Sequence, residues 1–282
     1  MAAAKKPAAS KPAAKKKEST SKAVVAWDEE LAKYAEAASE QEANTGGGSM
    51  FSVKSGVLSF QDAPLPNNEM AVIILDTIFE NTFYEGDYDP DNPSGPLCFA
   101  LDRNEGDMKP HVIVSDAGFA QNETCEGCEN NEFGSADKGK GKACKNTRRL
   151  ALIPAGNFDS DGMLELFDAD HFSKTEIGFM KLPVTSVKGY AGFVKQVAGT
   201  LKRPPFGIVT RIYVEPDAKT QFKVHFEVID KVPNELLEAI MSRRDEAMAT
   251  IDFPYSVYEE PAPKPARGTR KAPAKKKAAR KY

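Results

Sequence analysis

The sequence predicts a mixed, mainly β protein: a small β-barrel or strongly bent sheet with flanking helices, a zinc-stabilised loop insertion and disordered basic tails. Three observations lead there. Six or seven segments between residues 50 and 230 carry strand patterns without any running βαβ alternation. A polar stretch of 46 residues, 102–147, has no periodicity of its own and holds three of the four cysteines. Both ends of the chain are low-complexity Ala/Lys/Pro. The organisation that follows is a basic tail over 1–26, a helix and glycine linker over 27–48, a body over 49–252 with the insertion at about 98–147, and a second basic tail over 253–282.

Taken in order, residues 27–44 set Leu31, Tyr34 and Ala35 at helical spacing beside Trp27, and Gly46-Gly47-Gly48 ends the pattern. Residues 50–60 alternate around Gly56, residues 71–79 read as a buried-looking strand, and residues 97–101 as a short one. Strands resume at 149–154 and 163–167. A helix over 185–201 would place Val187, Tyr190, Val194, Val197 and Leu201 on one face. Residues 206–214 and 222–229 read as a hairpin turning within 215–220. A closing helix over 233–250 begins at Pro233, with Leu236, Leu237, Ile240 and Met248 as core positions.

The net charge of −3 conceals a segregation. Residues 1–23 carry seven lysines and one acid, and residues 261–282 carry nine Lys/Arg and no acid. Residues 24–260 then hold 22 basic and 40 acidic residues, a charge of −18. Low-complexity tails of this kind bury too little to offset their ordering entropy. The longest apolar run, Ala71 to Leu75, falls far short of the roughly 20 residues of a membrane-spanning helix. The basic leader has no apolar region after it, which argues against a secretory signal, and no arginine, which argues against a transit peptide. Four cysteines without an export signal point to reduced thiols.

Those thiols are spaced for a metal. Cys125 and Cys128 form a CxxC, and Cys144 follows after fifteen residues, a separation usual in zinc ribbons. A CxxC turn lets two thiolates reach one ion while backbone amides point at the sulfurs. Cys98 completes an all-cysteine set of four and is preferred as the fourth ligand; His111 is the alternative. The segment lacks the apolar residues to fold unaided, and structural Zn2+ would supply that stability. A redox CxxC would open a helix after a strand, whereas this one sits in a polar loop.

Gly134 to Gly141 matches GxxxxGK, but Gly141 stands where Ser or Thr must hold Mg2+, and a strand follows where a helix should open. A triphosphate loop is rejected. What remains is a basic island of Lys138, Lys140, Lys142, Lys145, Arg148 and Arg149 around Cys144, an electrostatic footprint for phosphates. A second concentration comprises Lys202, Arg203, Phe206, Arg211 and Tyr213. Phe133, Phe206 and Tyr213, each beside basic residues, are the candidate stacking platforms for bases. Asp87, Asp89 and Asp91, and separately Asp168, Asp170 and His171, invite a two-metal reading, but they lie in turn-like segments without the rigid convergence such chemistry needs.

The blocks Pro96-Leu-Cys98-Phe, Cys125-x-x-Cys128-x-Asn-Asn131-x-Phe133-Gly-Ser-Ala136, Gly-Lys-Gly-Lys-Ala-Cys144-Lys-Asn and Arg148-Arg-Leu-Ala-Leu-Ile-Pro154 resemble a family of tailed-bacteriophage early proteins. Leu182-Pro-x-Thr-Ser and Phe206-Gly-x-Val-Thr-Arg211-Ile are similar to the same family. The resemblance spans residues 27–230 and leaves out the tails. It implies single-stranded-DNA binding, an OB-type barrel, a zinc site and work in the cytoplasm of an infected host cell beside replication or recombination proteins; many members carry Trp where this chain has Phe133. The function expected is a non-catalytic single-stranded-DNA-binding protein, with no membrane partner. The alternatives are a metal-dependent nuclease or other DNA-processing enzyme, and a zinc-stabilised adaptor that binds a protein. The tails would either add non-specific affinity or fold back on the acidic body and compete with DNA.

Overall fold

The computed structural model describes Leu31, residues 49–86 and residues 95–256. Apart from Leu31, which is helical, the expected helix over 27–44 lies outside the described residues, as do Asp87, Asp89, Asp91 and both basic tails. The chain divides between Gly48 and Ser49, and the architecture below is that of the second unit.

Ten strands make one mixed sheet: β1 (Met50–Lys54), β2 (Val57–Phe60), β3 (Ala63–Pro64), β4 (Glu69–Phe83), β5 (Cys98–Asp102), β6 (Lys145–Phe158), β7 (Leu164–Leu166), β8 (Gly178–Lys181), β9 (Ile208–Asp217) and β10 (Gln221–Lys231). The strand order is β10-β9-β4-β6-β8-β1-β2-β3, with β5 on β4 and β7 on β6. Among the described pairings only β1 with β8 is parallel. The path has two ends, β10 and β3, whereas a small closed barrel has none; in place of the expected barrel the fold is an open sheet.

Helices cover both faces. One side takes α3 (Val184–Gln196), which packs on β10; the other takes α2 (Ala169–Lys174) and α4 (Leu237–Thr250). Alternation along the central strand β4 feeds both layers. Met70, Val72 and Ile74 join Leu150, Leu152, Tyr190 and Phe193, while Ala71, Ile73 and Leu75 join Ile153, Phe172, Leu236 and Ile240. A strand buried on both faces reads as an uninterrupted apolar run, which is why residues 71–75 look as they do. The register on β6 shifts between Ile74 and Asp76, so Leu75 is an extra residue and Ile78 returns to its side of the sheet.

The turn chemistry is local. Ser55 and Gly56, both at positive φ, make the two-residue turn between β1 and β2, and a Cβ on Gly56 would sit against Phe222. The β9–β10 hairpin is longer than its apolar pattern, and its turn is fixed by Asp217, whose carboxylate accepts from the backbone of Lys219 and Thr220 and pairs with Lys223. The expected helix over 185–201 is α3 for its first part; residues Val197–Leu201 unwind into a π-helical turn ended by Lys202 in the left-handed region. The body also continues past residue 252. Phe253 sets its ring edge-on to Phe179 at 5.0 Å and Tyr255 sets its ring on Phe99 at 5.2 Å, so the second tail begins later than its composition suggests. No helix among the described residues is long and apolar enough to cross a membrane.

Candidate functional site

The polar stretch 102–147 is organised by hydrogen bonds instead of by a regular element. Its one α-helix, α1 (Val112–Asp116), is a single turn capped by His111 Nδ1, which accepts from Ile113 N at 3.3 Å. Cys125 N donates to Met108 O and Cys144 N to Asn130 O, tying both ends of the CxxC loop down. Gly127 at φ +73° supplies the left-handed residue between the two cysteines, a conformation an L side chain would strain. Asn131 Nδ2 donates to Cys125 O; Asn146 Nδ2 bridges Asn131 and Asn81. The loop is thereby laced to β4.

These bonds bring the thiols of Cys98, Cys125, Cys128 and Cys144 to one small cavity of about 20 Å³. His111 is not among its lining residues: its Nδ1 is used as a cap and its ring stacks on Phe99 at 5.0 Å. Burial, reinforced by Cys125, Cys98 and Cys128, pushes the Cys144 thiol up to about 12. Burial likewise raises Cys98 and Cys125. Thiols are the donor type that Zn2+ takes in all-cysteine sites. Among the described residues, however, no group of three or more His, Cys, Asp or Glu stands at metal-holding spacing.

The basic island divides by position. Lys138 and Lys140 are exposed on the loop, as is Phe133, 81 % accessible, with the Lys142 ammonium 5.2 Å from its ring centre. Lys145 is exposed at the start of β6, opposite Thr82. Arg148 is half-buried with its guanidinium over the Phe79 ring, and burial lowers its pKa. Arg149 leaves the island altogether. It is 2 % exposed, its Nε donates to Glu80 Oε2 at 2.6 Å, and its Nη1 donates to the carbonyls of Ile251 and Phe253. Consecutive residues of a strand face opposite ways, so Arg148 and Arg149 could not share one phosphate-facing surface.

The second concentration is dispersed and largely neutralised. Arg211 pairs with Glu69 (2.6 Å) and Glu227 (3.2 Å), and Tyr213 lies between Arg211 and His225. Arg203 donates to Val232 O; Phe206 is half-buried beneath Arg244; Lys202 is exposed. Of the remaining aspartates, Asp168 caps α2 by accepting from His171 N, and Asp170 pairs with Lys174.

Two features escaped sequence reasoning. Glu80, fully buried, is gripped by Arg149, by Lys181 at 2.7 Å and by the Tyr255 hydroxyl, which donates to Oε1 at 2.6 Å. Burial alone would raise the Glu80 pKa; the charges of Lys181 and Arg149 outweigh it and lower the value, keeping the carboxylate ionised. The second is an open groove of about 450 Å³ lined by Tyr84, Lys145, Lys181 and Phe222 among others. A further cavity, of about 460 Å³, is walled by Phe60 and Phe158, and its lining includes Glu69 and Glu176 but no Lys or Arg. Comparison of the chain with family models, with curated proteins and with solved structures finds no match.

Proposed function

We propose that this is a non-catalytic single-stranded-DNA-binding protein whose cysteine loop is held by structural Zn2+. The observation that carries the proposal is Phe133: a large aromatic ring left in solvent on a loop with Lys138, Lys140 and Lys142, in a body otherwise rich in acids. A single exposed phenylalanine is ordinary by itself, but beside ammonium groups it provides a stacking face for a base while the lysines neutralise the flanking phosphates. Convergence of Cys98, Cys125, Cys128 and Cys144 on one cavity supports the zinc. Bound there, the ion would fix the loop and with it the direction of Phe133. The OB-like groove expected from the sequence is replaced in this proposal by the surface of an open sheet. Action in the cytoplasm of an infected cell, beside replication or recombination proteins, rests on the family resemblance.

The test is titration of the full chain with a labelled oligothymidylate at several salt concentrations, with duplex of the same length as competitor. Three or four neutralised phosphates give a slope of log K against log salt of about −2 to −3, at roughly 0.7 per phosphate. Equal affinity for duplex, or no salt dependence, would defeat the proposal. Strand cleavage with Mg2+ or Mn2+ present would defeat its non-catalytic part.

A further inference from the structure

We infer that the principal single-strand track of this protein is the groove between β1, the end of β4, the start of β6 and the N-terminal end of α3, with Tyr84 and Phe222 as base platforms and Lys145 as the phosphate contact. This rests on the proposed function and gives it a location that differs from the cysteine loop.

Charge singles the groove out. Residues 24–260 carry −18, yet the described residues that line this groove include two lysines and no Asp or Glu. The larger aromatic-walled cavity has the opposite character, with Glu69 and Glu176 in its lining, and would repel a phosphate chain. At the floor of the groove lies Lys181, whose three donor positions go to Glu80, Thr82 and Tyr255. It is therefore a fixed cation more than a hydrogen-bond donor to ligand. Because Glu80 is shared between Arg149 and Lys181, one carboxylate faces two cations, and a net positive charge is left beside the groove. Lys145, exposed in the lining, donates one hydrogen bond to Lys142 O at 3.0 Å and keeps two donor positions with which to meet a phosphate.

Apolar surface supplies the other half. Tyr84 is 41 % exposed and Val184 49 % exposed, both large side chains held in solvent at the groove. Phe222, half-buried on β10, packs in part against the core layer that holds Tyr190 and Phe193 and leaves the rest of its side chain to the groove. The space, about 450 Å³, falls in the range of roughly 300–1,000 Å³ usual for small-ligand sites. Aromatic rings beside lysines, with no Asp or Glu among the described residues of the lining, suit a sequence-tolerant single-strand site.

The experiment compares the full chain with Tyr84→Ala, Tyr84→Phe, Lys145→Ala and Phe133→Ala by anisotropy of a labelled oligothymidylate, with circular dichroism as the check on folding. Tyr84→Ala is expected to weaken binding roughly five- to hundredfold, the span that loss of one base–aromatic stack produces, while Tyr84→Phe keeps the ring and binds like the parent. Lys145→Ala is expected to reduce the salt slope by about 0.7. If the parent binds and both Tyr84→Ala and Lys145→Ala bind equally well, the groove assignment is overturned and the proposed function stands. If the parent shows no saturable binding, both fall. Ultraviolet crosslinking of the full chain to the same strand gives a second decision: adducts on Tyr84 or Phe222 support the groove, and adducts confined to Phe133 overturn it.

Discussion

Replacing Arg149 with methionine should be the most damaging single change near the sheet centre. Arg149 makes the 2.6 Å pair with Glu80, holds the carbonyls of Ile251 and Phe253, and covers the Phe253 ring at 4.0 Å. Removing one member of a buried pair costs about 3–5 kcal/mol, since the other charge is left in a poorly solvated site. Lys181 remains 2.7 Å from Glu80 and retains part of the compensation, so the lower end, about 3 kcal/mol, is expected. With a urea m-value of about 2–3 kcal/mol/M the midpoint falls by roughly 1–1.5 M. Adding Glu80→Gln removes the stranded charge, so the double variant should lose less than the sum of the singles, by about 1–2 kcal/mol of coupling. Equilibrium urea unfolding followed by circular dichroism measures both. A loss below about 1 kcal/mol for Arg149→Met, or strict additivity with Glu80→Gln, would refute the assignment of Glu80 as an ionised, doubly paired carboxylate.

The same carboxylate fixes a pH response: its folded pKa is lowered, so its contribution is complete above its ordinary value of 4.5 and is lost as pH falls through the folded value, and Glu80→Gln should flatten the acid limb of stability measured by thermal melts against pH. On the proposed zinc site, the parent should carry Zn2+ and lose stability on chelation, and Cys144→Ser should lower the metal content and abolish that loss; unchanged metal content would remove Cys144 from the ligand set. Phe133→Ala should leave the urea midpoint within about 0.5 kcal/mol of the parent, because the ring buries almost nothing, while weakening single-strand binding. Gly156→Ala would drive a Cβ into the carbonyl oxygen of Glu165 across the β6–β7 pairing, and a loss of roughly 1–3 kcal/mol is expected; an unchanged midpoint would mean that β7 yields freely.

Local signals in the sequence carried a good deal of this. The β1–β2 turn shows in Ser55-Gly56 and the central strand in the apolar run from Ala71 to Leu75. The β9–β10 hairpin shows in its alternation, and the nearness of the thiols in the CxxC spacing. Long-range pairings did not show. The strand from Ala71 was expected to stop at Phe79 because Glu80, Asn81 and Thr82 are polar, yet all three are buried: Glu80 meets Arg149 and Lys181, Asn81 meets Asn146, and Thr82 meets Lys181. Each partner lies at least 65 residues away in sequence, where no local window reaches. The parallel contact of β1 with β8 is equally remote, and without it the strands read as a small barrel. The groove escaped for the same reason: Tyr84, Lys145, Lys181 and Phe222 belong to four separate segments and carry no shared spacing. Arg149 was misplaced because adjacency along a strand means opposition in space.

The two ends of the sheet bear on how copies of this chain can associate. An exposed strand edge offers unpaired amides and carbonyls to any neighbour able to add a strand. At one end β3 is only two residues long and the second is Pro64, which has no amide hydrogen to give, with Gln61 and Asp62 bent into the left-handed region just before it. At the other, β10 presents Lys223, Glu227 and Lys231, and its register with β9 slips at Ile229. Both of these rims are poor templates for edge-to-edge growth, so the crowding that the proposed strand binding would bring about would not fuse sheets through them into fibres.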